Sequence, residues 1–313
     1  MSEDVTQGRS VLLTGATGFI GQRVLTRLLD GGHKVRAVSR RPAHKLNLPE
    51  HDNLEIVQGD ALNVQDLDAM LEGIEVAYYL IHSMEGGVGD EDAFIERDKR
   101  AALNFSSAAR HAGVKQIIYL SGIEPCEEIS KHLRSRNDVE RYLATDGVPV
   151  TVLRAGFIIG PESAGFKMLS GIVSNMSTMM ISSELKHRTQ PAFVHDVIDA
   201  LVLCLEHPEE TAGKCFEVGS TEVVSYFDII KEFCRGAGRE IKFVEVPWIP
   251  HKVAATYISV SSGLPYALIT ALAEGLNIDL LIENTQLYEL FPQLERTPLK
   301  NAMQNAWREV RGL

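Results

Sequence analysis

Three glycines at three-residue spacing, Gly15, Gly18 and Gly21, follow directly on the apolar run Val11, Leu12 and Leu13. They open onto residues 22–29, where apolar positions recur at helical spacing. A short unbroken apolar run suits a strand buried on both faces. Gly15 permits a tight turn out of that strand, Gly18 lets main chain approach a pyrophosphate, and Gly21 lets the next helix pack close to the sheet. Thr17, Phe19 and Ile20 lie between them and share the loop. A helix that begins there turns free N–H groups and a positive dipole end toward an anion. Glycines also mark plain turns, but a strand before and a helix after point to a dinucleotide-binding loop.

The chain beyond the glycines repeats the strand–helix alternation. Residues 34–38 read as a second strand that ends in Ser39, Arg40 and Arg41, with no acidic residue between 34 and 45. At the end of the second strand of such a unit, a carboxylate bonds the 2′-hydroxyl of NAD, whereas arginine accommodates the 2′-phosphate of NADP. The cofactor expected is therefore NADP, with NAD the alternative and a solvated basic loop the plain reading. Residues 54–57 form a third strand, followed by Gly59, Asp60 and Ala61. Asp60 would cap a helix over 64–71. Residues 76–81 are a fourth buried strand, so Leu80 and His82 at its end should face the cofactor. Residues 85–92 are glycine-rich and acidic, hence a flexible loop. A helix over 93–112 carries Asn104, read as a hydrogen bond within the fold. A fifth strand over 117–120 leads to Ser121, a helix to 130–145, and a sixth strand to 150–153. Six strands alternating with helices predict an α/β fold with a doubly wound parallel sheet.

Composition narrows the partners. The 313 residues carry a net charge of −11, which excludes generic nucleic-acid binding, since that needs a basic face. Four scattered cysteines without a C-x-x-C pair fit reduced thiols in a cytoplasmic setting. The first nine residues are polar and no apolar run is long enough for a membrane span. A small-molecule substrate is the expected partner.

The later half changes character. Residues 166–181 are rich in serine and methionine, and Met168, Met176, Met179 and Met180 either line an adaptable apolar pocket or, as is more usual, fill core. Residues 191–197 lead into a helix over 197–206. A short strand over 215–218, a helix over 225–237 capped by Ser225, a strand over 242–246 and a last helix over 298–310 follow. Residues 265–282 read as an amphipathic helix and turn, packed internally, with a lid or a partner- or lipid-facing surface as alternatives. The division expected is a nucleotide-binding domain over 1–160 and a smaller α+β lobe over 161–313, part of which returns to the first domain.

The run G-A-T-G-F-I-G resembles the short-chain dehydrogenase/reductase superfamily, above all its extended and atypical branches. With Y-Y-L-I-H-S and S-K-H-L-R-S-R it is similar to the NmrA-like group, which includes relatives of the nucleotide-binding accessory subunit of respiratory complex I. The resemblance implies a Rossmann domain, with Asp60 bonding the adenine amino group. The superfamily's usual catalytic set is Ser, Tyr and Lys, the last two as Y-x-x-x-K on one helix. Ser121 stands at the serine place, but His132 and Arg136 stand where Tyr and Lys are expected. Two readings follow. In one, the protein is an NADPH-dependent reductase of a small carbonyl or quinone-like compound. Ser121 bonds the substrate oxygen, His132 donates the proton and Arg136 anchors the cofactor. In the other, it is a non-catalytic NADP(H)-binding redox sensor or assembly factor with a protein partner.

Overall fold

Consecutive apolar residues in β1 (Ser10–Thr14), β4 (Val76–Tyr79) and β5 (Gln116–Gly122) place them in the middle of a parallel sheet, where both faces are covered. The computed structural model describes residues 8–81, 91–124, 131–246 and 249–313. With β2 (Lys34–Ser39), β3 (Leu54–Gln58), β6 (Val150–Ala155) and the late strand Cys215–Val218, they form a seven-stranded sheet. Every pairing in it is parallel, and the order is Cys215–Val218, β6, β5, β4, β1, β2, β3. The chain winds outward from β1 to β3, then crosses back to β4, so its direction reverses between β1 and β4.

Alternation along β1 divides the core. Val11 and Leu13 face one layer, with α1 (Phe19–Asp30) and α6 (Val194–Glu206). Leu12 faces the other, with α2 (Val64–Leu71) and α3 (Glu91–Ala112). The first layer runs unbroken into the C-terminal half, through Phe233 to Ala306. There Phe166, Phe233 and Trp307 meet with ring centroids 4.8–5.2 Å apart. The buried Tyr78 hydroxyl donates to the Leu201 carbonyl at 2.9 Å, pinning α6 to the sheet. Asp196 on α6 accepts from the Thr297 N–H at 2.7 Å and from its hydroxyl at 2.8 Å.

Several elements differ from the sequence reading. The sheet has a seventh strand because Cys215–Val218 joins the free edge of β6. Helix α1 begins at Phe19, three residues before the expected start, and α6 begins at Val194 rather than 197. Strand β4 stops at Tyr79, because the Leu80 N–H turns to the Thr14 hydroxyl at 2.9 Å. Asn63, not Asp60, caps α2, its side chain accepting from the Gln65 N–H at 3.1 Å. Asp60 instead accepts from the Leu62 N–H at 2.9 Å. Asn104 bonds within the fold as expected, donating to the Leu62 carbonyl at 3.3 Å.

The C-terminal half builds a helical layer beside the sheet. Helix α5 (Ala164–Asn175) leads into the strand Thr178–Ile181, which pairs in parallel with Lys242–Glu245. The helix His251–Ser262 carries no clear sequence signal: half of its apolar residues are β-branched, and they spread around its circumference. It crosses α5 at backbone distance, for a Cβ on Gly171 would lie 2.2 Å from the Ser262 Cα. Tyr266–Glu274 is helical, within the span expected.

Ser225 caps the helix Tyr226–Ala237 in a reciprocal box with Asp228. Partial burial disfavours the Asp228 carboxylate, but bonds from Lys231 and Ser225 outweigh it and hold the group down to about 2. Ser225→Ala should cost about 1 kcal/mol in chemical denaturation. A depressed pKa stabilises the fold above the ordinary value of 3.8, so wild type should lose its stability advantage over Asp228→Asn as pH falls from there toward 2.

Candidate functional site

The C-terminal ends of the strands share one edge, and at the β1/β4 reversal they leave a crevice of the kind that holds ligands in open α/β sheets. Thr14, the buried last residue of β1, ties the crevice together. Its hydroxyl donates to the Tyr78 carbonyl and accepts from the Leu80 N–H, both at 2.9 Å. Gly15 follows with φ +69°, and a Cβ there would lie 2.6 Å from the Leu80 carbonyl oxygen. Glycine is thus required at this turn by its backbone angle and by β4.

The other two glycines have different reasons. A Cβ on Gly21 would sit 2.1 Å from the Gly15 oxygen, so the first turn of α1 rests directly on the strand-to-helix turn. Gly18 has an ordinary φ of −82° and caps α1 with no side-chain bond to the first turn. Its Cβ would meet one protein atom within 4 Å, the Gly15 oxygen at 3.2 Å. The fold demands glycine at 15 and 21 far more than at 18. The space above Gly18 and the uncapped N–H groups of α1 fit a diphosphate.

Phe19 is wedged in place. The Arg23 guanidinium lies 4.5 Å from its ring centroid, and a Cβ on Gly160 would come within 2.9 Å of the ring. The turn after Gly160 includes Glu162 at φ +70°, the one non-glycine residue with a left-handed backbone among the described residues, and Glu162 pairs with Arg23 at 3.8 Å.

Most of the remaining expected residues follow the strand ends at the same edge. Ser39 ends β2, and its hydroxyl accepts from the Arg41 N–H at 3.1 Å; Arg40 and Arg41 follow, exposed. Asp60 and Ala61 follow β3, Leu80 and Ile81 follow β4, and Ser121 is the penultimate residue of β5. Among the described residues the second carboxylate oxygen of Asp60 has no hydrogen bond, since Leu62 engages only Oδ1. His82 lies outside the described residues. His132 and Arg136 sit one helical turn apart on α4 (Lys131–Leu143), and their side chains also lie outside the described residues.

Sequence reasoning missed two features beside Ser121. Asn137 on α4 is buried, and its Oδ1 accepts from the Ser121 hydroxyl across a long 3.5 Å. Its Nδ2 has no partner among the described residues. Arg154 near the end of β6 forks onto Glu140 of α4 at 2.7 and 3.1 Å and reaches Glu124 at 2.7 Å. Burial works against the guanidinium charge, but Glu140 more than offsets it and keeps the group protonated. The one signal for Asn137 was its place immediately after Arg136. Of the cysteines, Cys204 and Cys215 are free thiols that burial pushes up to about 12 and about 11, so neither is a ready nucleophile.

A family described as NAD(P)H-binding matches residues 15–184, more than half of the chain. The chain belongs to this NAD(P)H-binding family. A 3 beta-hydroxysteroid dehydrogenase/Delta 5→4-isomerase of Mycobacterium tuberculosis is 26% identical over 260 residues, which are 73% of this chain and 70% of that protein. The sanguinarine reductase of Eschscholzia californica is 26% identical over 261 residues, 69% of this chain and 91% of the reductase. In three dimensions the chain is similar to the triphenylmethane reductase of Citrobacter sp. complexed with NADP(H). The TM-score is 0.73 at 20% identity, over 95% of this chain and 99% of that one. It is also similar to the Bordetella bronchiseptica enzyme WbmH in complex with NAD+, with TM-score 0.72 at 18% identity, over 98% and 99% of the two chains. The fold is a Rossmann fold, and no helix among the described residues is long and apolar enough to cross a membrane.

The glycines separate experimentally. Gly18→Ala should fold within about 1 kcal/mol of wild type yet bind NAD(P)H at least about tenfold more weakly in calorimetry. Gly21→Ala, aimed at a backbone oxygen, should lose about 2 kcal/mol or more in thermal or urea unfolding.

Proposed function

We propose that the protein is an NADPH-dependent reductase of a small carbonyl or quinone-like compound. Residues 1–160 hold the nucleotide and 161–313 supply most of the substrate lobe. The observation that carries this reading is Ser121, a buried hydroxyl at the end of β5 on the same sheet edge as the Gly18 cradle. Its long bond to Asn137 leaves it free to donate to a better acceptor. The relatives named above include a dehydrogenase and two reductases, which supports redox chemistry on this scaffold.

A bound nicotinamide would supply the hydride. The residues of this chain orient and protonate. Ser121 donates its hydroxyl hydrogen to the substrate oxygen, where negative charge develops. His132 stands where the superfamily places its proton-donating tyrosine, and an imidazole titrates near neutral pH. Arg136, one turn on, holds the cofactor. It cannot tune a neighbour by shedding its own proton, as the usual lysine does. The main-chain N–H groups of Phe19, Ile20 and Gly21, beside the open space at Gly18, receive the diphosphate with Thr17 next to it, and Asp60, with Ala61 beside it, accepts from the adenine amino group. Ser39, Arg40 and Arg41 meet the 2′-phosphate, which selects NADP over NAD. The absence of the Tyr and Lys pair is what favours a second reading, a nucleotide-bound sensor that turns nothing over.

NADPH absorbance followed against a panel of quinones and aldehydes tests this. Turnover should appear, and Ser121→Ala and His132→Ala should each lower kcat by about a hundredfold or more without changing NADPH affinity by a like factor. Tight NADPH binding with no turnover on any acceptor would instead establish the sensor. Replacing Arg40 and Arg41 together by alanine should weaken NADPH about tenfold and leave NADH unchanged. Equal loss for both would remove the 2′-phosphate assignment.

A further inference from the structure

A cavity of about 310 Å³ lies among α5 and the helices Tyr226–Ala237, His251–Ser262 and Tyr266–Glu274. That volume is within the range of small-molecule sites. Met168, Met176, Met179 and Met180, half of the methionines in the chain, line it. Both readings hold: Met168 belongs to the buried core and Met176 and Met179 pack against it, and all four also wall the cavity. Unbranched thioether side chains repack around differently shaped apolar ligands at little cost.

The cavity starts at the nucleotide edge of the sheet. Phe157, which lines it, comes two residues after the end of β6, and its ring lies against the backbone of α5, where a Cβ on Gly165 would come within 2.6 Å. The other end opens outward. Met180, Val253 and Tyr257 line the cavity and are also 52%, 61% and 45% exposed, so the mouth is apolar.

Its polar groups are few, and those of Tyr226 and Ser182 are already engaged. The Tyr226 hydroxyl donates to the Gly275 carbonyl at 3.1 Å, and the Ser182 hydroxyl donates to Glu184 at 3.3 Å. Among the described lining residues Glu184 carries the one formal charge, and no basic side chain is present. A ligand anion would find no cation among the described lining residues, in a chain that is itself acidic.

We infer that this cavity binds a predominantly hydrocarbon molecule bearing no negative charge, admitted through the mouth at Met180, Val253 and Tyr257. Its identity as the hydride acceptor rests on the reductase reading; its binding does not. Phe157 then marks where the ligand's reactive end meets the sheet edge.

Titration calorimetry on the full chain tests this with progesterone and menadione as uncharged probes and deoxycholate as an anionic molecule of similar bulk. At least one uncharged probe should bind at micromolar concentration, and deoxycholate at least tenfold more weakly. Ala254→Trp, which fills the cavity, should weaken the uncharged probe at least tenfold. Val253→Glu, on the exposed rim, keeps the test decisive should the tryptophan variant misfold, and Val253→Lys should narrow the gap between deoxycholate and the uncharged probe. Binding of neither uncharged probe, equal affinity for deoxycholate, or indifference to the folded variants would overturn the inference. An uncharged probe held in the cavity while NADPH is oxidised by no carbonyl or quinone upholds this inference and sinks the reductase. NADPH oxidation by small carbonyls that Ala254→Trp leaves unaltered, with no probe bound, does the reverse.

Discussion

Everything at the nucleotide edge depends on how closely the first turn of α1 sits on the end of β1. The carbonyl of Gly15 occupies the space where any side chain at residue 21 would begin. Glycine at 21 is the condition for that approach, and glycine at 15 for the turn that makes it. Thr14 then fastens β1 to β4 through both roles of one hydroxyl. The main chain is held open between two strands, and a helix begins with its N–H groups unclaimed by any side chain. An anion completes what the fold leaves unpaired.

From that edge the second half of the chain is organised by where it must return. The late strand pairs with β6, α6 is pinned beneath β4 by Tyr78, and Thr297 is bonded to Asp196. Between those anchor points the chain is free to diverge from the sheet, and it does so as helices around a methionine-lined cavity. The sheet half thus provides for a nucleotide, which needs fixed backbone geometry. The helical half provides for something apolar, which needs volume and adaptable walls. Phe157 is the seam between the two.

How much of this could be read in advance follows from where the controlling forces lie. The glycine loop, the first six strands of the sheet and the cap at Ser225 are local: each is set by residues within a few positions, and each was legible in outline. The end of β4 at Tyr79 was not, because the group that captures the Leu80 N–H is 66 positions away. The cap of α2 was assigned to Asp60, although a helix that begins at Val64 has Asn63 at its N-cap position. The helix His251–Ser262 escaped because its apolar residues form no single stripe, and its close approach to α5 at Gly171 is a contact distant in sequence. At Met168, Met176, Met179 and Met180, packing density decides between core and cavity, and spacing carries no record of it.

The pairing of Cys215–Val218 with β6 has a consequence for how the molecule comes to exist. During synthesis the outer edge of β6 is made about sixty residues before the strand that covers it. Until then its ladder of N–H and C=O groups lies open, as a template for any passing extended segment. The nascent N-terminal portion is therefore an unfinished sheet, and its safe closure waits on the last third of translation.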